Sequence, residues 1–103
     1  MESLFGRSGV GRALNQEAIT MKLVYFAWVR ERIGKAEETV DLPTDVATIA
    51  DLVAWQRGRG EEYAYAFEDS GVVRAAMDKV HVKPDAAIAG ASEIAFFPPM
   101  TGG

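Results

Sequence analysis

The chain of 103 residues contains no cysteine. That absence excludes disulfides, thiolate metal sites and any thiol or persulfide nucleophile on this chain. The single histidine, His81, has no acidic cluster beside it in the sequence. Acidic pairs such as Glu37-Glu38 are expected to be solvated faces, because none has a second ligand cluster at a useful spacing. The sequence therefore predicts no metal site.

Long apolar runs and basic stripes are also missing. No apolar run approaches the roughly 18 residues of a membrane span, so no membrane partner is expected. The net charge of −4, without a basic stripe, argues against nucleic-acid binding. Hydrophobic residues make up 49% of the chain, which suits one small domain with one core. A cytoplasmic location is the default expectation.

The first twenty residues differ from the rest. Residues 1–20 show little periodicity and lack the apolar centre of a signal peptide. We interpret them as a leader or upstream extension that is not functional, and assign the functional domain to 21–103. That domain contains no Walker-type Gly-Lys loop, so any handling of ATP would belong to a partner.

The first half of the domain predicts a hairpin followed by a helix. Residues 22–28 are apolar, β-branched and aromatic, which predicts a central strand, and residues 29–35 are expected to be a turn. Residues 37–42 alternate polar and apolar side chains and should pair with the first strand. Thr48 and Asp51 form a capping-box pattern at the start of a helix. Its apolar face carries Ile49, Leu52, Val53 and Gln56, and Gly58 and Gly60 end it.

The second half predicts shorter elements. Residues 61–67 are a candidate second helix with Tyr63 and Phe67 on one face. Residues 72–77 and 80–82 predict short strands around a turn, and residues 94–97 predict the last strand.

This order of elements predicts an α+β fold of the β-grasp (ubiquitin-like) type, a mixed sheet of four to five strands over one main helix. The first and last strands are the most apolar, so they should lie side by side at the centre of the sheet. A crossover that contains a helix separates them, and they should therefore run parallel.

The sequence ends in Pro98-Pro99-Met100-Thr101-Gly102-Gly103 directly after the last predicted strand. The prolines stop the strand and favour extended backbone. Two glycines suit a carboxylate that must enter a site too narrow for a Cβ, and six residues reach about 20 Å. A frayed end of small residues is the alternative.

Two motifs carry a resemblance to a known family: the segment 26–31 (FAWVRE) followed by Gly34, and the segment 95–103 (AFFPPMTGG). Together they closely resemble the small subunit of molybdopterin synthase, a family of ubiquitin-like sulfur carriers in molybdenum cofactor biosynthesis. The likeness runs from Met21 to Gly103. Asp78 and Ser92 depart from the family's usual turn residues.

The resemblance implies a function for the tail. An ATP-dependent adenylyltransferase would activate the carboxylate of Gly103, and a sulfur donor enzyme would convert it to a thiocarboxylate. The tail, Pro99, Met100, Thr101, Gly102 and Gly103, would then insert into the large catalytic subunit and donate sulfur to cyclic pyranopterin monophosphate. A heterotetramer with that subunit is expected. The chain itself would be non-catalytic and would bind no cofactor beyond these transient covalent groups.

Three further residues are candidate partner contacts. Phe96 and Phe97 are adjacent on a strand and must face opposite sides, so one fills the core and the other is available to a partner; the pattern does not decide which. Arg30, together with Glu31, is either a partner contact or a surface ion pair.

Other functions share parts of this pattern. A ubiquitin-like protein modifier would use the same activation and differ only in its final acceptor, a lysine. A thiamine-pathway sulfur carrier has the same fold and ending, although the Phe-Phe-Pro-Pro stretch resembles the molybdenum family more closely. A plain interaction module with an idle tail is the third alternative.

Overall fold

The computed structural model of the chain describes residues 19–69 and 71–99. The proposed leader, apart from residues 19 and 20, and the last four tail residues lie outside the described residues. In chain order the elements are β1 (Ile19–Tyr25), α1 (Ala27–Ile33), β2 (Glu37–Leu42), α2 (Ile49–Arg57), α3 (Glu61–Ala66), β3 (Arg74–Met77), β4 (Val80–Val82) and β5 (Glu93–Phe97).

The strands form one mixed sheet in the order β2-β1-β5-β3-β4. β1 and β5 run parallel and pair from Lys22–Glu93 to Tyr25–Phe96, whereas the other neighbours are antiparallel. The predicted parallel pairing of the first and last strands is therefore confirmed, as is the β-grasp class of mixed sheet. β5 lies in the middle of the sheet with two strands on each side.

One face of the sheet packs against the helices and forms the core. Alternate residues of β1 and β5 point to this face, because successive side chains of a strand face opposite sides. The fully buried large side chains are Tyr25, Phe67, Phe96, Met21, Leu23, Leu42, Leu52, Ile88, Ile94, Gln56 and Val29. The opposite face of the sheet, called here the open face, carries no helix within the described residues.

The segment after β1 is a helix, so the predicted turn over residues 29–35 was wrong. Val29 and Ile33 lie one helical turn apart and are both buried, which ties the helix to the core. Gly34 ends α1 in the left-handed conformation (φ 92°), where its N–H donates to the carbonyl of Arg30 at 2.8 Å. A seven-residue helix has too few turns to show an apolar stripe in the sequence.

β1 differs from its prediction at both ends. It ends at Tyr25, three residues early, because the chain bends there into α1. It begins two residues before Met21, with Ile19 opposite Leu42 and Thr20 opposite Asp41. The Thr20 hydroxyl donates to the Asp41 carboxylate at 2.9 Å. The pairing of β1 with β2 thus extends into the last two residues of the segment interpreted as leader.

The predicted cap and apolar face of α2 are confirmed. Thr48 Oγ1 accepts the N–H of Asp51 at 3.1 Å, and the Asp51 carboxylate accepts the N–H groups of Ala47 and Thr48. These backbone donors lower the pKa of Asp51. The four face residues named above are all buried, and the helix ends at Arg57, just before Gly58. α3 and its buried Tyr63 and Phe67 also agree with their prediction.

The β3–β4 hairpin turns at Asp78 and Lys79, as predicted, although β3 begins at Arg74 instead of residue 72. Both turn residues have positive φ (49° and 74°), the combination of a two-residue type I′ turn. The Asp78 carboxylate accepts the N–H of Ser92 at 3.0 Å and that of Glu93 at 3.0 Å. The two positions that depart from the family pattern, Asp78 and Ser92, thus contact each other and connect the hairpin to the start of β5.

Candidate functional site

The chain leaves the sheet from its central strand. β5 ends at Phe97, and the half-buried Pro98 and Pro99 follow it directly. Proline has no N–H for a ladder hydrogen bond, so the two residues end the strand at this point. The segment that leaves the sheet therefore follows a strand that is paired on both sides.

Phe96 and Phe97 occupy opposite faces of the sheet. Phe96 is completely buried. Its ring stacks on that of Tyr25, with the ring centroids 6.2 Å apart, and meets the ring of Phe67 edge-on, with the centroids 5.1 Å apart. Phe97 lies on the open face, where its ring packs against that of His81 with the ring centroids 5.0 Å apart. The structure thereby answers the question that the sequence left open, and it removes Phe96 from the residues that a partner can touch.

A shallow groove of about 650 Å³ on the open face runs beside the emerging tail. We call it the tail groove. Its lining residues are Phe26, Ala27, Ala76, Lys79, His81, Glu93, Ala95, Phe97, Pro98 and Pro99. Ala76 and Ala95 pair directly across β3 and β5, and their small side chains leave the groove between larger neighbours. A mostly apolar groove of this kind, next to the tail, suits protein contact.

The bend between β1 and α1 places Phe26 at the groove. The Phe26 N–H donates to the Phe96 carbonyl at 3.0 Å, which anchors the bend to β5. Ala27 then takes a positive φ of 54°, a conformation that costs a residue with a Cβ about 1 kcal/mol. Half of the Phe26 side chain stays exposed (50%), although the residue is large and apolar. The pattern of the sequence singled out Phe97, but neither Phe26 nor the paired alanines.

Arg30 lies elsewhere. It is exposed on the last turn of α1 and is not among the residues that line the tail groove. Its role as a partner contact stays a prediction.

A second polar cluster joins β1, β2, α2 and α3 on the helical side of the molecule. The Glu38 carboxylate accepts hydrogen bonds from the hydroxyls of Tyr25 (2.6 Å) and Tyr63 (2.9 Å) and from the guanidinium of Arg59. Gln56 Nε2 donates to the Tyr25 hydroxyl at 2.8 Å. Glu38 is thus not the solvated residue that the sequence predicted, since its side chain is only 12% exposed.

The cluster shifts the ionisation of its members. Burial alone would raise the pKa of Glu38, but hydrogen bonds from Arg59, Tyr25 and Tyr63 outweigh it and lower that pKa to about 2. Burial, followed by the hydrogen bond to Glu38, raises the pKa of Tyr25 well above its ordinary value. Every hydroxyl and carboxylate here points at a partner within the cluster, so its arrangement is that of a structural network.

Residues 19–69 and 71–99 contain no group of three histidine, aspartate or glutamate side chains placed to hold a metal ion. No helix in the described part of the chain is long and apolar enough to cross a membrane.

A β-grasp sheet whose central strand runs directly into a Gly-Gly tail defines the class of ubiquitin-like carrier domains. The sequence profile of the ThiS family matches residues 23–103. The chain therefore belongs to the ThiS family.

Two relatives that share one name are similar to this chain over most of its length. The molybdopterin synthase sulfur carrier subunit of Escherichia coli (strain K12) is 34% identical over 83 residues, which cover 81% of this chain and 99% of that protein. The protein of the same name from Haemophilus influenzae is 32% identical over 83 residues, which again cover 81% of this chain and 99% of that protein. The resemblance drawn from the two motifs is thereby confirmed.

Solved structures agree on the fold. The crystal structure of SAMP1, small archaeal modifier protein 1, from Haloferax volcanii superimposes with a TM-score of 0.61 at 26% identity. The match covers 82% of this chain and the whole of that one.

Proposed function

We propose that this chain is the sulfur carrier subunit of a molybdopterin synthase and that its C-terminal carbonyl, at Gly103, bears the sulfur. The observation that supports this most directly is the course of β5, which passes from the centre of the sheet through Pro98 and Pro99 beside the tail groove. The relatives from Escherichia coli and Haemophilus influenzae are molybdopterin synthase sulfur carrier subunits by name.

The chemistry requires an activated carboxylate, because a carboxylate is a poor electrophile. An oxygen of the Gly103 carboxylate attacks the α-phosphorus of ATP, and pyrophosphate leaves. The outer sulfur of a persulfide on a donor enzyme then attacks the acyl carbon of the adenylate, AMP leaves, and an acyl disulfide joins the chain to the donor. A second thiol attacks the donor's sulfur and forms a disulfide with it, which breaks the S–S bond and releases the C-terminal thiocarboxylate. The sulfur of this group is the nucleophile toward cyclic pyranopterin monophosphate.

The chain supplies the sulfur-bearing group and its partners supply the catalysis. It has no cysteine to carry sulfur and no Gly-Lys phosphate loop in residues 21–103 to bind ATP. The polar network around Glu38 is internally paired on the helical side of the molecule. We therefore assign ATP binding to an adenylyltransferase, sulfur supply to a donor enzyme, and acid-base chemistry to the large synthase subunit, in a heterotetramer.

In this proposal, the large subunit covers the tail groove while residues 99–103 enter its active site. Phe97 and Phe26 would be the apolar anchors, since both present aromatic surface on the open face. The tail follows a strand that is paired on both sides, and Pro98 and Pro99 restrict its backbone, so less conformational entropy is lost when it inserts. Arg30, on α1, would contact the partner outside the groove.

Intact mass spectrometry tests the proposal. The chain co-expressed with its adenylyltransferase and sulfur donor should gain about 16 Da, the replacement of one oxygen by sulfur. The gain should disappear when Gly102 and Gly103 are deleted. A chain that never gains this mass, while the adenylyltransferase acts on a known carrier in the same assay, would refute the function.

A protein modifier is the second candidate, because the solved relative from Haloferax volcanii is named a modifier protein. In that case the activated Gly103 would be joined to lysines of target proteins. Lysine-linked adducts without the thiocarboxylate would favour this candidate. A thiamine-pathway carrier would instead recover a thiazole synthase when the tagged chain is used to capture partners.

A further inference from the structure

The β3–β4 hairpin is cationic although the chain is acidic. Residues 74–82 carry Arg74 and Lys79 against one acidic residue, Asp78, whereas the whole chain has a net charge of −4. The Asp78 carboxylate is directed to the backbone N–H groups of Ser92 and Glu93, as described above. The positive charge of this hairpin is therefore a local feature, opposite in sign to that of the remaining sequence.

This charge borders the tail groove. Arg74 pairs with Phe97 across β3 and β5, so both side chains lie on the open face. Lys79 and His81 line the groove at the other end of the hairpin. Lys79 and His81 thus belong to the lining of the groove, and Arg74 lies beside Phe97 just outside that lining. We call these three residues the hairpin rim.

Two residues of the hairpin rim, Arg74 and Lys79, are cations without an ion-pair partner in the part of the chain described. Other basic side chains do: Lys22, Arg32, Lys35 and Arg59 each lie within 4.0 Å of a carboxylate. Glu93, the acidic residue of the groove lining, is approached by Lys22 at 4.0 Å. Among residues 19–69 and 71–99, no carboxylate comes within 4.0 Å of Arg74 or Lys79. Their charge is available to a partner.

We propose that the subunit which covers the tail groove carries carboxylates opposite Arg74 and Lys79, and that this charge pairing selects the partner. The inference rests on the proposed function, which supplies the partner. An apolar centre surrounded by unpaired charge is the arrangement in which rim charges accelerate encounter and fix orientation. The hairpin rim therefore acts on association rate and on register, while Phe97 and Phe26 supply the burial of apolar surface.

A second copy of this acidic chain would also offer carboxylates to the hairpin rim. Two copies joined through their tail grooves would cover each other's Pro98 and Pro99, where the tails emerge. Neither tail could then enter a catalytic subunit, so we assign the rim to the catalytic partner.

Association kinetics test the inference. The large synthase subunit of the same organism is purified, and its binding to the full chain is measured from about 0.05 to about 0.5 M NaCl, a range over which charge screening changes strongly. Arg74→Glu, Lys79→Glu and the double variant are compared with Arg57→Glu. This control makes the same charge change as each single variant, on an exposed residue of α2, a helix that contributes no residue to the tail groove.

We expect the double variant to associate about tenfold more slowly than the wild type at low salt, and the difference to vanish at high salt. Arg57→Glu should stay within about twofold of the wild type. Dissociation rates should change little. Circular dichroism melting of each variant verifies that the fold is intact.

Several results would overturn the inference. Two results would show that the hairpin rim does not guide binding of the partner: equal association rates for the double variant and the wild type at low salt, or an equal loss of association rate in Arg57→Glu. Neither result would affect the proposed sulfur-carrier function. Faster association of the double variant would mean a basic partner surface. A wild-type dimer that the double variant abolishes would assign the rim to self-association. If the wild type gains no thiocarboxylate and does not bind the large subunit, the proposed function fails as well.

Discussion

The guanidinium of Arg59 donates two hydrogen bonds to the carboxylate of Glu38, at 2.7 and 3.1 Å. Arg59 follows α2, and Glu38 lies on β2. The pair therefore connects the end of the main helix to an edge strand of the sheet. The hydroxyls of Tyr25 and Tyr63 also donate hydrogen bonds to the Glu38 carboxylate. A partly buried charge pair of this kind is costly to break by removing one partner.

The first prediction concerns acid stability. The pKa of Glu38 is lowered to about 2 in the folded chain, below the value of about 4.5 that the unfolded chain has. The group therefore stabilises the fold fully above pH 4.5, and this contribution is lost as the pH falls from 4.5 toward 2. We expect a loss of about 2 kcal/mol of unfolding free energy over this range, measured by urea titration at several pH values.

Glu38→Gln is the control for that experiment. It keeps the size of the side chain but removes the charge, so the variant should be less stable at pH 7 by about 2–4 kcal/mol. Its stability should also depend less on pH between 4.5 and 2. An unchanged pH dependence in this variant would assign the acid sensitivity to other carboxyl groups.

The second prediction separates the roles of the two adjacent phenylalanines. Phe96→Ala removes a fully buried ring and should lower the unfolding free energy by about 3–5 kcal/mol. Phe97→Ala should cost about 1 kcal/mol or less, because its ring lies half-buried on the open face. Binding to the large subunit should instead weaken by about tenfold or more in Phe97→Ala. Thermal melting and binding assays on both variants distinguish these outcomes, and a Phe97→Ala variant that binds normally would remove the groove from the interface.

Much of this architecture follows from local patterns in the sequence. The capping pair Thr48 and Asp51 and the apolar spacing that follows it locate α2, and the apolar character of residues 22–25 and 94–97 locates the two central strands. These signals are strong because capping and periodicity act within a few residues. The parallel pairing of β1 with β5 follows from the crossover between them.

The parts that were not predicted depend on contacts distant in sequence. Glu38 meets Arg59 and Tyr63, which lie 21 and 25 residues further along, and no local pattern links these positions. The tail groove likewise forms only when Phe26, from the end of β1, is brought beside the alanines of β3 and β5. α1 is short, and its two buried positions, Val29 and Ile33, are compatible with a turn when the sequence alone is considered.

The third prediction concerns the start of the domain. We expect deletion of residues 1–18 to change the melting temperature by no more than about 2 °C, since the core formed by residues 19–69 and 71–99 begins at Met21. Deletion of residues 1–20 also removes the pairings of Ile19 with Leu42 and of Thr20 with Asp41, and should cost about 1 kcal/mol. Calorimetry on the two truncated chains measures the difference. A large loss in the shorter deletion would show that residues 1–18 belong to the folded domain.

The fourth prediction concerns the last residue. Gly103→Val, or one extra residue after Gly103, should leave the melting temperature unchanged, because the core residues identified in the structure all precede Pro98. Thiocarboxylation should fall by about 100-fold or more, since the added side chain or residue displaces the reacting carbonyl in a narrow site. The same extra residue placed before Met1 is the matched control and should have no effect. Intact mass spectrometry measures the modified fraction, and wild-type levels of thiocarboxylate in Gly103→Val would refute the steric requirement for glycine.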